Sequence, residues 1–355
     1  MKIEQIDANF AVKSVDNGSE KDYYRIPDDK FALFGLKYSD EDGFYRVPKE
    51  VAEKTNPGVV SLRKNTAGGR LCFSTDSDYF SLTAKYGYLW DSSHMPLSGS
   101  SGFSLLEITD GDCRFVAELR PQHGEDKGFF AECRLGGGKM RDYALYFPLY
   151  NDVDDLVVGL KKDSAVIKFS PYKDVLPVVY YGSSITQGAC ASRPDNCYQA
   201  YVSKWTNVDY LNFGFSGSAK AEDAICDFLS GIPASVFVMD YDHNAPSAEY
   251  LKSTHYNFYK KYRLANPDTP ILFISRPDYD SDKKDGEARL KVIKSTFLRA
   301  KREGDQKVSL LNGKLLFGKF DRENCFVDGI HPNDLGFYRM AKLVFRSIKN
   351  IRSDF

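Results

Sequence analysis

Apolar residues follow two different rhythms along this chain. Up to about residue 175 they come as short runs, among them Phe31-Ala32-Leu33-Phe34-Gly35-Leu36, Arg114-Phe115-Val116-Ala117-Glu118-Leu119 and Ala165-Val166-Ile167-Lys168-Phe169. Clusters of Gly, Asp, Ser and Pro separate them. Many short strands spaced by turn signals predict an antiparallel β-sandwich. Asp142-Tyr143-Ala144-Leu145-Tyr146-Phe147-Pro148-Leu149-Tyr150 reads as a strand rich in rings. It either packs between the two halves or faces a ligand.

From Pro177 onward, short apolar runs alternate with longer segments of helical length. The runs are Val178-Val179-Tyr180-Tyr181, Tyr210-Leu211-Asn212-Phe213, Ser235-Val236-Phe237-Val238-Met239, Ile271-Leu272-Phe273-Ile274 and Val308-Ser309-Leu310-Leu311. About five buried strands, each followed by a helix, predict an α/β layered domain built on a parallel sheet. The chain thus divides into residues 1–175, a β-sandwich, and residues 176–355, an α/β domain. Ligands of such sheets sit beyond the carboxyl ends of the strands, so chemistry is expected just after these runs.

Composition narrows the function classes. A chain of 355 residues suits about two domains. Its 42% hydrophobic and 27% charged residues are those of an ordinary soluble globular protein. A net charge of −1 without a long basic run gives no nucleic-acid footprint. No stretch reaches the roughly 18 apolar residues of a membrane span. Residues 1–7 turn acidic at once and lack the apolar core of a signal peptide. The seven cysteines are scattered with no Cys-x-x-Cys pair, which points to a reduced, cytoplasmic protein. Cys190 and Cys197 flank one loop, either paired or as reduced small core residues. Aromatic residues make up 14%, a share that serves sugar-binding surfaces and core packing alike.

Ser184 directly follows the first apolar run, between Gly182 and Gly188. A serine hydroxyl becomes a nucleophile only when a base takes its proton. A tight strand-to-helix turn can present that oxygen and aim a backbone N–H at the developing oxyanion. Of the five histidines, His331 lies in Val327-Asp328-Gly329-Ile330-His331-Pro332-Asn333. Asp328, three residues earlier, can hold one imidazole nitrogen while the other faces the serine. The same spacing suits a second reading, in which Asn333 or Asp334 caps the last helix and the pair merely shapes the chain before it.

These residues carry a family resemblance. The second half resembles the SGNH, or GDSL-type, hydrolases, acyl-ester hydrolases with a flavodoxin-like three-layer fold. Gly182-Ser183-Ser184-Ile185-Thr186-Gln187-Gly188 is similar to the first family block, with Ser184 at the nucleophile. Asn212-Phe213-Gly214-Phe215-Ser216-Gly217 is similar to the second, which implies that Gly217 donates an oxyanion N–H beside that of Ser184. Asp328-Gly329-Ile330-His331-Pro332-Asn333 matches the last block. Two departures stand out: Ser183 replaces the usual Asp before the nucleophile, and the Gly-x-Asn-Asp block is missing. In its place stands Asp240-Tyr241-Asp242-His243-Asn244-Ala245-Pro246. Asn244 is the candidate for the oxyanion amide, since Asp242, which aligns nearly as well, would repel an oxyanion when ionised. The variant block and the β-rich first half resemble a bacterial subgroup in which a small, jelly-roll-like β-sandwich precedes the hydrolase domain.

The resemblance implies a serine esterase acting on short acyl, chiefly acetyl, esters of carbohydrates, with no cofactor and no metal. The alternatives are a lysophospholipase or thioesterase of the same fold, or a non-catalytic carbohydrate-binding protein. The expected partner is a small-molecule or oligosaccharide ester, not nucleic acid or membrane, and homo-oligomerisation stays open. His243 touches substrate or holds its loop. Arg276, after the fourth run, binds a polar substrate group or forms a loop-ordering salt bridge. His255 belongs to a helix, and Lys283, Lys284 and Asp285 read as a solvated surface turn.

Overall fold

A computed structural model describes residue 6, residues 18–278 and residues 280–355. Apart from Ile6, the acidic opening segment read above lies outside the described residues.

The first half folds as two antiparallel sheets. One orders its strands as Lys21–Ile26, Asp155–Lys161, Tyr79–Lys85 and Gly128–Arg134. The other runs Val166–Lys168, Arg70–Thr75, Arg141–Tyr146, Phe103–Thr109 and Asp112–Leu119, with Ala32–Phe34 also paired to Arg70–Thr75. Side chains alternate between faces along a strand. Leu71, Phe73, Tyr143 and Leu145 therefore point into the core between the two sheets. Their neighbours Cys72, Ala144 and Tyr146 point the other way, into a second core shared with the α/β half. Burial on both faces explains the unbroken apolar run from Tyr143 to Tyr146. The aromatic stretch packs between the halves.

The second half is a five-stranded parallel sheet. Its first strand is Val178–Gly182, its second Tyr210–Gly214, its third Val236–Asp240, its fourth Ile271–Ile274 and its fifth Val308–Leu311. In space the order is second, first, third, fourth, fifth, the doubly wound order of a flavodoxin-like sheet. Val178, Tyr180, Val236, Val238 and Leu272 face Tyr198–Thr206 and Asp334–Ile351. Val179, Tyr181, Phe237, Met239 and Phe273 face Asp223–Ser230, Ala248–Ala265 and Lys283–Arg302. Three layers result. The many tyrosines are largely core, with Tyr180, Tyr181, Tyr198, Tyr210, Tyr241, Tyr259 and Tyr262 among the largest fully buried side chains.

One expectation fails here. Lys283, Lys284 and Asp285 are the first turn of the helix Lys283–Arg302, capped by the Asp282 side chain, which accepts the Asp285 N–H. Lys283 and Lys284 are exposed as expected, whereas Asp285 is half-buried and pairs with both Arg276 and Arg289.

The halves are joined by two buried arginines. Arg46 donates to the carbonyls of Asn65, Leu62, Asn212 and Gly214, the last at 2.7 Å. Arg70 donates to the Tyr210 carbonyl and pairs with Asp209. Residues 210–214 form the edge of the parallel sheet, and unpaired edge groups are a liability. The first half supplies their cover.

Candidate active site

Gly182 ends the first strand, and Ser183 opens the short helix Ser184–Gln187. The Ser183 hydroxyl accepts the Ile185 N–H at 3.2 Å. Serine is a good N-cap, so replacing the family's Asp keeps the turn. Gly188 closes it with φ of 107°, a left-handed conformation that favours glycine. Ser184 is only 4% exposed.

Its Oγ lies 2.9 Å from Nε2 of His331. His331 Nδ1 lies 2.7 Å from Oδ2 of Asp328, while Oδ1 of the same carboxylate accepts the backbone N–H groups of Ile330 and His331. Gly329 supplies the positive φ, 82°, that this turn needs. Burial alone would raise the Asp328 carboxyl, but the backbone and side-chain hydrogen bonds of His331, with that of Ile330, hold it at about 2. The carboxylate is thus ionised and fixes the imidazole so that Nε2 faces the serine. The helix-capping reading is satisfied alongside: Asn333 accepts the Gly336 N–H, and Asp334 holds Ser192 and Asn196 in the loop after the serine.

Gln187 ties three segments together. Its amide donates to Asn65 Oδ1 and the Leu149 carbonyl, and its Oε1 accepts the Ser216 N–H. The loop carrying Gly217 is thereby anchored to the serine's own helix. Gly217 sits at the exposed surface with φ of 66°, and neither its N–H nor that of Ser184 has an acceptor among the described residues. Asn244 donates its amide to the Phe215 carbonyl at 2.8 Å, which brings the third loop against the second. Its other amide hydrogen has no acceptor among the described residues. Asp242 is buried, and its carboxylate accepts the Arg276 N–H at 3.0 Å.

Arg276 is taken up by salt bridges. Nε reaches Asp278 Oδ1 at 2.8 Å, Nη2 pairs with the same carboxylate, and Nη1 reaches Asp285 at 2.6 Å. That geometry orders the loop, each of the three nitrogens having a carboxylate partner. His243 Nδ1 stands 3.6 Å from Asp278 Oδ1, beyond hydrogen-bond reach. Burial pushes its imidazole below the ordinary value; Asp278 opposes this, while Arg276 and His331 reinforce it. His255 is a packed residue, 3.0 Å from Thr296, and burial takes it down to about 3.

Two features escaped the sequence reading. Asp240 ends the third strand beside Gly182 and accepts hydrogen bonds from Thr186 and Tyr198 at 3.1 and 3.0 Å. Burial, then repulsion from Asp242, pushes its carboxyl up to about 8 despite those two donors. A buried tyrosine such as Tyr198, far along the chain, was the only available hint. The second is His94, from the first half, whose ring centroid lies 6.0 Å from that of His331. All seven cysteines are free; burial pushes the Cys190 thiol up to about 12, so it stays protonated.

Comparisons with known proteins agree with this architecture. Residues 175–349 match the GDSL-like lipase/acylhydrolase family, and residues 21–166 match the N-terminal unit of SGNH hydrolase-type esterases. No curated protein matches the chain. A GDSL-like lipase candidate from Bacteroides ovatus is 27% identical, with a TM-score of 0.85 over 94% of this chain and 98% of its own. A salicylyl-acyltransferase from a tetracycline biosynthetic pathway superposes at 0.74 with 18% identity, covering 93% of this chain and 97% of its own. An acetyl xylan esterase from the rumen bacterium Butyrivibrio proteoclasticus superposes at 0.60 with 14% identity, over 95% of this chain and all of its own. Among the described residues, no helix is long and apolar enough to cross a membrane.

Proposed function

Since the chain belongs to the GDSL-like lipase/acylhydrolase family, with the N-terminal unit of SGNH-type esterases ahead of it, we propose that it is a serine esterase removing short acyl groups, chiefly acetyl, from carbohydrates. The observation that carries the proposal is the continuous hydrogen-bonded line from Ser184 through His331 to Asp328. His331 takes the Ser184 proton as Oγ attacks the ester carbonyl, and Asp328 stabilises the imidazolium that forms. The N–H groups of Ser184 and Gly217 and the Asn244 amide receive the oxyanion. His331 then protonates the departing alcohol, and water attacks the acyl-serine through the same base. The chain's own residues suffice for each step.

The choice of a short acyl group and of a sugar is supported by the acetyl xylan esterase, which shares both units of the fold. Ser184→Ala is expected to lower hydrolysis of nitrophenyl acetate and of acetylated xylo-oligosaccharides by about 10⁴-fold, with the melting temperature little changed. Wild-type rates in that variant would end the proposal, and a preference for long acyl chains would redirect it to a lipase-like substrate.

A further inference from the structure

The first half reaches the candidate active site through one loop. Met95 is buried in the core shared by the two halves, together with Ala189 and Cys190. Its N–H donates to the Ser92 carbonyl at 3.0 Å, which closes the turn Ser92-Ser93-His94-Met95. A few residues on, Gly99 is packed so tightly on the Ala191 carbonyl that a Cβ would collide with it. The Gly99 and Ser100 carbonyls accept the N–H groups of Leu149 and Tyr150. The loop is therefore fixed both to its own unit and to the chain just after Ser184.

His94 is exposed at the tip of this turn, with its Nδ1 held 3.0 Å from Ser92 Oγ. When the hydroxyl donates to Nδ1, the ring's proton resides on Nε2, which becomes a fixed donor. A ring nitrogen of His94, a ring nitrogen of His331 and Cys190 Sγ all lie within 4.8 Å of one another. Two nitrogens that share one oxygen at ordinary hydrogen-bond lengths and a tetrahedral angle stand about 4.6 Å apart. A separation within 4.8 Å allows one oxygen to be reached from both rings.

Which oxygen belongs there follows from the direction of proton transfer. On the serine-esterase reading, the carbonyl oxygen goes to the donors proposed at Gly217 and Asn244. The oxygen that His331 must reach after releasing Ser184 is that of the departing alcohol. We propose that His94, delivered by the N-terminal unit, forms the alcohol side of the site and donates a hydrogen bond to the leaving oxygen of the ester. This rests on the serine-esterase reading above. His331 alone transfers its proton to that oxygen as the acyl–oxygen bond breaks; His94 keeps its own and lowers the charge carried in the transition state. The substrates that need this are esters of aliphatic alcohols, sugar hydroxyls included, because their alkoxides leave poorly.

The test compares two acetyl esters whose leaving oxygens differ in need, nitrophenyl acetate and glyceryl triacetate, in the full chain. In His94→Ala, kcat/KM for glyceryl triacetate is expected to fall roughly tenfold, and that for nitrophenyl acetate less than about threefold, the size of one lost hydrogen bond. His94→Gln, whose amide nitrogen can occupy the place of Nε2, should recover most of the lost rate on glyceryl triacetate, and His94→Asn should not. Equal losses on both esters, no loss on glyceryl triacetate, or equal behaviour of the two amide variants would overturn the inference. Activity that depends on Ser184 but ignores His94 overturns only this step, whereas activity surviving Ser184→Ala overturns the esterase reading itself.

Discussion

Asp240 and Asp328 both lie close in space to the turn that carries Ser184, and the protein treats the two carboxyls oppositely. Asp328 sits in a half-open loop with three hydrogen-bond donors and stays ionised down to about 2. Asp240 is sealed under the turn and is mostly protonated at neutral pH, with its carboxyl near 8. A raised carboxyl has a definite sign. Below the ordinary value of 3.8 the group is protonated in both folded and unfolded chains and affects nothing. Between there and about 8 the unfolded chain ionises while the folded one holds its proton, so stability falls as pH rises. Asp240→Asn keeps the acceptor for Thr186 and Tyr198 without that penalty. Its melting temperature should therefore exceed that of the wild type by a margin that widens from about pH 5 to about pH 8 and then levels. A margin independent of pH would show that Asp240 ionises normally. Nothing in the sequence separates these two aspartates; only the folded surroundings do.

At the scale of elements, the five parallel strands were legible from alternation of short apolar runs with helical segments, and the sandwich from its short runs. The Asp328–His331 spacing was legible as well. What stayed hidden depends on contacts between distant segments. The Lys283-Lys284-Asp285 stretch looked like a polar turn because its partners, Arg276 and Arg289, become neighbours only once the helix forms. His94 lies some 237 positions from His331 and looked like any surface histidine. The strand-to-turn junction depends on a similar contact, this time between backbones. Gly214, at the end of the second strand, packs against the Gln187 backbone so closely that any Cβ would strike it. Gly214→Ala should push the helix carrying Ser184 away from His331. A displacement of about 1 Å there is expected to cost on the order of 100-fold in kcat/KM. Circular dichroism should show the fold retained with a lowered melting temperature; full activity would show that the turn can yield.

At the scale of the whole molecule, the two halves behave as one structure with a shared core and a site assembled from both. Arg46 is 3% exposed, and its guanidinium meets four carbonyls and the face of Phe215. Burial brings its pKa down to about 9, yet it remains charged at neutral pH. Arg46→Met fills much of the space and removes all four of these hydrogen bonds, while the Leu62 carbonyl keeps the Asn65 N–H, so it should cost about 2–4 kcal/mol in urea unfolding. It should also lower activity more than a surface substitution would, since Asn212 and Gly214 lie in the strand that leads into the Gly217 loop. A change within about 0.5 kcal/mol would mean that water replaces the guanidinium freely.

The Arg46 clamp grips main-chain oxygens, and every amino acid offers the same oxygen. The join between the halves therefore asks little of side-chain identity along residues 212–214, beyond the glycine that the turn requires. The tip at His94 is held through Met95 and backbone contacts rather than through its own ring. Selection could thus rewrite that tip, and with it the alcohol the enzyme accepts, while the scaffold on both sides of the seam stays as it is.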